Sequence, residues 1–128
     1  MKQIINTQAA PEAIGPYNQA TIHRGTVYVS GQIAIDPISN EWVGGSIEKE
    51  THRVLKNIEA VLAASGSDLS LVLHCSIFVK DIGDYPVINE IYSEYFPSQT
   101  APARALVEVS ALPKGALVEM TVVAALKE

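Results

Sequence analysis

The sequence predicts an α+β domain in which one mixed β-sheet carries two helices on a single face, in the order β-β-α-β-α-β-β. Three observations predict this fold class. The 128 residues suit one domain, so residues 1–128 are treated as a single unit. Segments rich in β-branched residues alternate with two segments whose apolar residues recur every three or four positions. No linker, repeat or low-complexity segment interrupts them, and such an order favours a layered sheet with helices on one face.

Two strands are expected first, at Thr21–His23 and Val27–Ile35, where β-branched and aromatic residues are concentrated. Arg24-Gly25 lies between them and suits the tight turn of an antiparallel hairpin. A helix of about five turns then begins directly after Ser46, its N-cap, and ends at Gly66.

A third strand, Leu71–Val79, precedes the second helix. Asp84 and Pro86 supply the start signals of that helix, and Pro97 ends it. Its apolar stripe is formed by Ile88, Ile91, Tyr92 and Tyr95.

The last two strands are predicted at Ala103–Val109 and Leu117–Leu126. A Leu-Pro-Lys-Gly segment with good turn chemistry joins them, so we consider a closing hairpin. A hairpin symmetric about this turn places Glu119 opposite Glu108 and about 13 Å from Arg104 by strand rise. A ligand bridges that gap only if a bulge or another subunit shortens it.

One face of such a sheet is left without helices. The last strand is apolar on both sides apart from Glu119 and Thr121. Charged residues make up 18% of the chain and hydrophobic residues 48%, whereas charged residues average about 25% in soluble domains. A bare apolar sheet face therefore predicts a ring or barrel built with neighbouring copies of the chain.

Charge and composition argue against several classes of function. Nine Lys and Arg against fourteen Asp and Glu give a formal net charge of −5, which provides no basic field for nucleic acid. We expect neither export nor membrane insertion, because residues 1–14 lack an apolar signal core and no apolar stretch is long enough to span a bilayer. Cys75 is the only cysteine, which favours a reducing cytoplasm and an inert core thiol.

Arg104 is the residue that most calls for a function, because it stands in an otherwise apolar strand. Alternation places Arg104, Leu106 and Glu108 on one face. One interpretation is a structural ion pair with Glu108 or another acid, since an unpaired buried charge costs several kcal/mol. The other is an anchor for a small carboxylate, which a planar guanidinium binds through two hydrogen bonds worth about 1.5–3 kcal/mol.

Three further features are candidates for the same site. Glu119 is the single acid of the last strand, where burial raises its pKa and suits proton transfer, unless it simply meets solvent at a strand edge. Ser30 and Gly31 lie inside a strand, where glycine marks either a bulge or a close approach to a ligand. Tyr17 follows Gly15-Pro16 in a loop that either lays its ring near a site or only packs.

No metal or nucleotide cofactor is indicated by the sequence. The three histidines have no metal-ligand spacing among themselves or with Cys75, and no Gly-rich phosphate loop occurs. A serine-histidine-acid triad has no nucleophile motif to support it.

Six short motifs are spread along the chain: Ile14-Gly15-Pro16-Tyr17, Val29-Ser30-Gly31-Gln32, Val79-Lys80-Asp81, Val87-Ile88-Asn89-Glu90-Ile91-Tyr92, Pro102-Ala103-Arg104 and Val118-Glu119-Met120. Together they resemble the RidA/YjgF family of enamine and imine deaminases. The resemblance runs nearly end to end, and its late Pro-Ala-Arg to Glu pair is specific.

This resemblance implies a chorismate-mutase-like fold and a homotrimer whose sheets form a central barrel, with active sites in the clefts between subunits. It implies hydrolysis of reactive 2-enamine or 2-imino acids, such as 2-aminoacrylate, to a 2-keto acid and ammonia without a cofactor. Arg104 then holds the substrate carboxylate, Glu119 orients or deprotonates the attacking water, and Tyr17 closes over the site. The residues that support the pocket are Ser30, Gly31, Asn89 and Leu106.

Two departures from the family bear on this interpretation. Many deaminase members have a cysteine where this chain has Leu106, and a glutamine where it has Glu50. Because that cysteine contributes mainly backbone and wall contact, Leu106 affects substrate size more than activity.

Two other functions stay open. One is a noncatalytic trimer that binds a small keto or imino acid and regulates or protects a partner protein. The other is RNA cleavage or translation inhibition, to which relatives of this family have been linked. The acidic charge argues against RNA, and the presence of Glu119 as well as Arg104 favours chemistry over binding alone.

Overall fold

A mixed sheet of six strands with two helices is described by the computed structural model over residues 1–128. The order of strands in the sheet is β1-β2-β3-β6-β4-β5, and β4 with β5 is its one parallel pair. The strands are β1 (Gln3–Ile5), β2 (Ala20–His23), β3 (Thr26–Gln32), β4 (Val72–Val79), β5 (Ala103–Glu108) and β6 (Val118–Ala125), and the helices are α1 (Ile47–Ser65) and α2 (Tyr85–Tyr95). The predicted α+β class is confirmed.

Both helices form where their end signals predicted. The side chain of Ser46 accepts a hydrogen bond from the backbone N–H of Lys49, and Gly66 ends α1 with a φ of 82°. Pro86 lies in the first turn of α2. The helices pack against each other, and their buried residues join those of the sheet in one core. Neither helix is long and apolar enough to cross a membrane.

The first hairpin is confirmed, but one strand ends three residues earlier than predicted and another strand was missed. Arg24 and Gly25 both have positive φ, as the two-residue turn between β2 and β3 requires. β3 ends at Gln32 rather than Ile35, and a bulge shifts its register with β6 between Val29 and Gln32. The sequence prediction missed β1, whose three residues are too few for a recognisable period and become a strand by pairing with β2.

The prediction of a closing hairpin between β5 and β6 was wrong, because β4 lies between these two strands in the sheet. Glu119 consequently stands opposite Phe78 of β4 rather than opposite Glu108. The turn chemistry itself is right, since Lys114 and Gly115 both have positive φ, but the chain crosses over β4 there. β6 is buried at every second residue and takes a central position with partners on both edges, whereas β5, which has no fully buried residue, takes the outer edge.

The second face of the sheet carries no helix, as predicted. Large apolar side chains are uncovered there: Tyr28 is 50% exposed and Val107 is 48% exposed. Half-buried Phe78 and Val123 lie between these two along the sheet. Such a face is characteristic of a surface that packs against another chain.

Candidate active site

The side chain of Arg104 projects from the edge strand β5 and is held by α2. Its Nη1 donates to Oδ1 of Asn89 at 2.9 Å, and its Nη2 donates to the hydroxyl of Tyr85 at 3.0 Å. The guanidinium carbon also lies 4.8 Å from the centroid of the Tyr92 ring. Residues 85, 89 and 92 are spaced by four and three positions, so a single face of α2 provides all three contacts.

No carboxylate pairs with Arg104 inside the chain. The only ion pair within 4.0 Å joins Lys127 to Asp68 at 3.8 Å. Glu108, the partner considered from the sequence, instead accepts a hydrogen bond from the backbone N–H of Ile82 at 2.9 Å. The structural ion pair is therefore contradicted for the single chain, and the positive charge of Arg104 stays available to an external anion.

The backbone of β5 also faces this site. Because β5 is the last strand of the sheet, only one of its edges is paired. Val109 donates its N–H to the carbonyl of Val79, and alternation therefore directs the N–H groups of Arg104 and Leu106 to the free edge. The side chain of Leu106 packs against the hydrophobic core. Leu106 thus contributes mainly its backbone N–H to a site at this edge.

A hollow of about 440 Å³ opens beside the guanidinium. Its wall includes Asn89 and Tyr92 of α2, together with Arg104 itself. Phe96 and Pro102 supply apolar surface on the same wall. The hollow is wide enough for a small organic anion to approach Arg104.

Glu119 lies on the other face of the sheet. Val118 and Met120 are fully buried in the helix-covered core, so alternation turns Glu119 towards the bare face. Burial there raises the pKa of its carboxyl above the ordinary glutamate range. The carboxylate lines a cavity of about 250 Å³ that also includes Tyr17 and Gly31. The raised pKa expected for Glu119 is therefore present.

Gly31 lies in the bulge of β3, which is one of the two alternatives considered from the sequence. A Cβ at this position would collide with the carboxylate of Glu119. The glycine therefore makes room for the acid. Ser30 has a structural role in the chain: its hydroxyl donates to the carbonyl of Asn18 at 2.6 Å and so fixes the segment after Tyr17.

The predicted site residues form two groups within one chain. One group, at the β5 edge, consists of Arg104, Asn89 and Leu106. The other, where β3 ends and β6 begins, consists of Glu119, Gly31, Tyr17 and Ser30. Arg104 pairs in register with Cys75, whereas Glu119 pairs with Phe78 three residues further along β4. Two strand spacings and three residues of rise separate their Cα atoms by about 14 Å, with the side chains on opposite faces. Neither the hollow beside Arg104 nor the cavity at Glu119 is lined by both residues.

Sequence reasoning missed two contributors to these groups. Tyr85 was not selected at all, although it lies four residues before Asn89 and therefore on the same face of a predicted helix. Lys114 was assigned only to a turn, yet it lines the cavity of Glu119. Cys75 was correctly predicted as a core thiol: it is fully buried, and burial raises its pKa to about 12.

Comparison with known protein families gives a match along almost the whole chain. Residues 7–126 match the family model described as Endoribonuclease L-PSP. A RutC family protein of Saccharolobus solfataricus is 51% identical over 124 residues, which are 97% of this chain and 98% of the relative. The human 2-iminobutanoate/2-iminopropanoate deaminase is 44% identical over 124 residues, which are 97% of this chain and 90% of the relative.

Solved structures show the same fold. A Rid family protein of Yersinia pestis superposes with a TM-score of 0.95 at 48% identity, covering 98% of this chain and all of the other. Escherichia coli TdcF, solved with bound serine, superposes with a TM-score of 0.91 at 33% identity, covering 98% of this chain and 99% of the other.

Proposed function

The chain belongs to the RidA/YjgF/L-PSP family, and we propose that it is a cofactor-independent hydrolase that converts 2-imino acids and their 2-enamine tautomers into 2-keto acids and ammonia. Relatives about 44% identical along their length are named as deaminases of this kind. Family membership alone does not select this activity, because other relatives carry other names. The proposal rests on the residues of the site.

The observation that carries the proposal is the unpaired guanidinium of Arg104. Two of its five N–H groups are used by Asn89 and Tyr85, and no acid neutralises it. A fixed guanidinium with free donors suits the carboxylate that every 2-imino acid carries next to its reacting carbon. Arg104 can thus orient the substrate without taking part in the bond changes.

The second part of the proposal is that the site forms between two copies of the chain in a homotrimer. Arg104 and Glu119 cannot reach one small substrate from opposite faces of the same sheet. The bare sheet face, with Tyr28 and Val107 about half exposed, offers apolar surface for packing with other copies. In such an assembly the Arg104 edge of one chain meets the Glu119 cavity of its neighbour. Light scattering tests this part, because a stable monomer would remove the between-subunit site.

In the proposed reaction water adds to the imine carbon. A C–O bond forms while the C=N double bond becomes a single bond, and Glu119 accepts a proton from the water. Glu119 returns that proton to the nitrogen, which gives a carbinolamine. Glu119 then carries the proton of the carbinolamine hydroxyl to the nitrogen while the C=O bond forms and the C–N bond breaks, so that ammonia leaves a 2-keto acid behind. An enamine substrate must first gain a proton at C3 and lose one from its nitrogen to give the imine. Burial around Glu119 raises its pKa and so improves it as a proton carrier near neutral pH.

A coupled assay tests this function. Serine or threonine dehydratase generates the imine, semicarbazide traps whatever remains free, and the release of keto acid is followed. We expect wild-type protein to divert imine from the trap into keto acid, and Arg104→Ala to lower kcat/KM by about a hundredfold. Arg104→Lys keeps the charge without the planar fork and should lose about tenfold, whereas Arg53→Lys, a matched change on α1, should keep full activity. No acceleration by wild type, or full activity of Arg104→Ala, contradicts the proposal.

Binding without turnover is the second candidate, and one observation favours it. All the groups that hold Arg104 come from the same chain, so binding of a carboxylate by Arg104 does not require Glu119. TdcF, a structural relative, was solved with bound serine. The same assay separates the candidates, because a protein that only binds leaves the rate of imine hydrolysis unchanged.

A further inference from the structure

The hydroxyl of Tyr85 has an unused hydrogen next to Arg104. Arginine carries only donors, so in the 3.0 Å contact between Nη2 and the Tyr85 hydroxyl the phenol oxygen must be the acceptor. The hydrogen of that hydroxyl therefore points elsewhere. No other atom of the chain accepts it, and Tyr85 is 40% exposed.

We propose that Tyr85 belongs to the carboxylate site. Its oxygen positions Arg104, and its O–H donates a hydrogen bond to the anion that Arg104 binds. This inference rests on the proposed function, since the anion is the carboxylate of the 2-imino acid.

The geometry suits a carboxylate shared by both groups. The Tyr85 oxygen and Nη2 of Arg104 are adjacent donors 3.0 Å apart, so one carboxylate oxygen can accept from the guanidinium while the other accepts from the phenol. A hydroxyl whose oxygen already accepts from a cation is also a stronger donor. Asn89 holds Nη1 on the other side and keeps the guanidinium from turning away.

The arrangement also defines the substrate class. Donors from Arg104 and Tyr85 converge on the anion, and no acid of the chain pairs with this arginine. A free carboxylate satisfies all of these donors, whereas an amide at the same place presents its own N–H groups to them. The site should therefore select free 2-imino and 2-keto acids over their amides.

The test compares Tyr85→Phe with wild type and with Tyr95→Phe. Tyr95 lies on the same helix, but its hydroxyl contacts His52 at 2.8 Å, away from Arg104. Two measurements are made: the kinetics of imine hydrolysis, and the binding of pyruvate and pyruvamide by calorimetry. Thermal unfolding of all three proteins verifies that each is folded.

We expect Tyr85→Phe to raise KM and the Kd for pyruvate about tenfold, to leave kcat within about twofold, and to reduce the preference for pyruvate over pyruvamide. Tyr95→Phe should change none of these. An unchanged KM and pyruvate Kd in Tyr85→Phe overturns the inference while the deaminase function stands. If wild type binds pyruvate but hydrolyses no imine, the proposed deaminase function is contradicted. The Kd of Tyr85→Phe for pyruvate then still tests the role of Tyr85 in carboxylate binding. A wild type that does not bind pyruvate overturns it as well.

Discussion

The guanidinium of Arg104 and the carboxylate of Glu119 lie on opposite faces of one sheet. Arg104 shares its face with the buried Cys75 beneath α2, and Glu119 shares the bare face with Phe78. Arg104 is held by its hydrogen bonds to α2, and Gly31 leaves the space that the Glu119 carboxylate occupies. In the proposed assembly each chain carries two halves of a site, and a second copy of the chain joins them.

Replacing Gly31 by alanine should disable the half that contains Glu119. The new Cβ would collide with the Glu119 carboxylate, which must then move away from its cavity. We expect kcat to fall by about tenfold or more while the protein remains folded. Steady-state kinetics and thermal unfolding check this outcome. Gly83→Ala, whose Cβ would come no closer than 3.1 Å to Asp81, is the matched control; equal kinetics for both variants would contradict the role given to Gly31.

The activity should depend on the protonation of Glu119. In the proposed mechanism this carboxyl works as a base, and burial raises its pKa above the ordinary value of about 4.3. As pH falls through this raised pKa, Glu119 becomes protonated and kcat/KM should decline. Profiles recorded with excess dehydratase at each pH would show the decline in wild type. Glu119→Gln should have little activity, and its kcat/KM should not show this decline at low pH. A wild-type profile that is flat down to pH 4 would contradict the role of Glu119 as the base.

Glu50 should make stability depend on pH. This carboxyl is fully buried: Oε1 accepts from the backbone N–H of Leu117 at 2.8 Å, and Oε2 has no partner. Burial raises its pKa in the folded chain, so the folded state holds its proton to higher pH than the unfolded state does. The free energy of unfolding should then decrease as pH rises from about 4 through the raised pKa.

Glu50→Gln cannot titrate and should lack this decrease. Urea unfolding at a series of pH values measures the free energy of unfolding of both proteins. The difference between wild type and Glu50→Gln should vanish below about pH 4. Glu48→Gln, an exposed residue of the same first turn, is the control. Parallel curves for wild type and Glu50→Gln would show that Glu50 is not responsible.

Leu106 should tolerate the cysteine that many relatives of the family carry. Its backbone faces the free edge of β5 beside Arg104, while its side chain packs against the core. We expect Leu106→Cys to keep kcat/KM within about threefold and to lower the free energy of unfolding by about 1–2 kcal/mol. Kinetics and urea unfolding measure the two effects. A loss of activity beyond tenfold with unchanged stability would mean that the side chain itself contacts the substrate.

The sequence was sufficient where local chemistry decides the structure. Ser46 and Gly66 mark the ends of α1, and Arg24-Gly25 forms the turn between β2 and β3, because caps and tight turns depend on nearby backbone groups. Alternation correctly placed Arg104 and Leu106 on one face, and the order of strands and helices predicted the bare face of the sheet. The family was indicated by sequence motifs, above all those that contain Arg104 and Glu119.

The rest depends on contacts that no local pattern contains. The turn after β5 has hairpin chemistry, yet the parallel pairing of β5 with β4 leaves the central position to β6. Tyr85 was overlooked because its role depends on Arg104, which is nineteen residues away in the chain. The ion pair considered for Arg104 failed for a similar reason, since Glu108 is occupied by the backbone of Ile82.

Complementation between two inactive variants tests the between-subunit site most directly. Arg104→Ala and Glu119→Ala chains would be co-expressed with different tags and purified through both, then compared with each variant alone in the coupled assay. In trimers that contain both variants, about one site in three combines an intact Arg104 with an intact Glu119 from the neighbouring chain, so about a third of wild-type activity should return. Mixed oligomers that stay as inactive as the separate variants would contradict a site built from two copies of this chain.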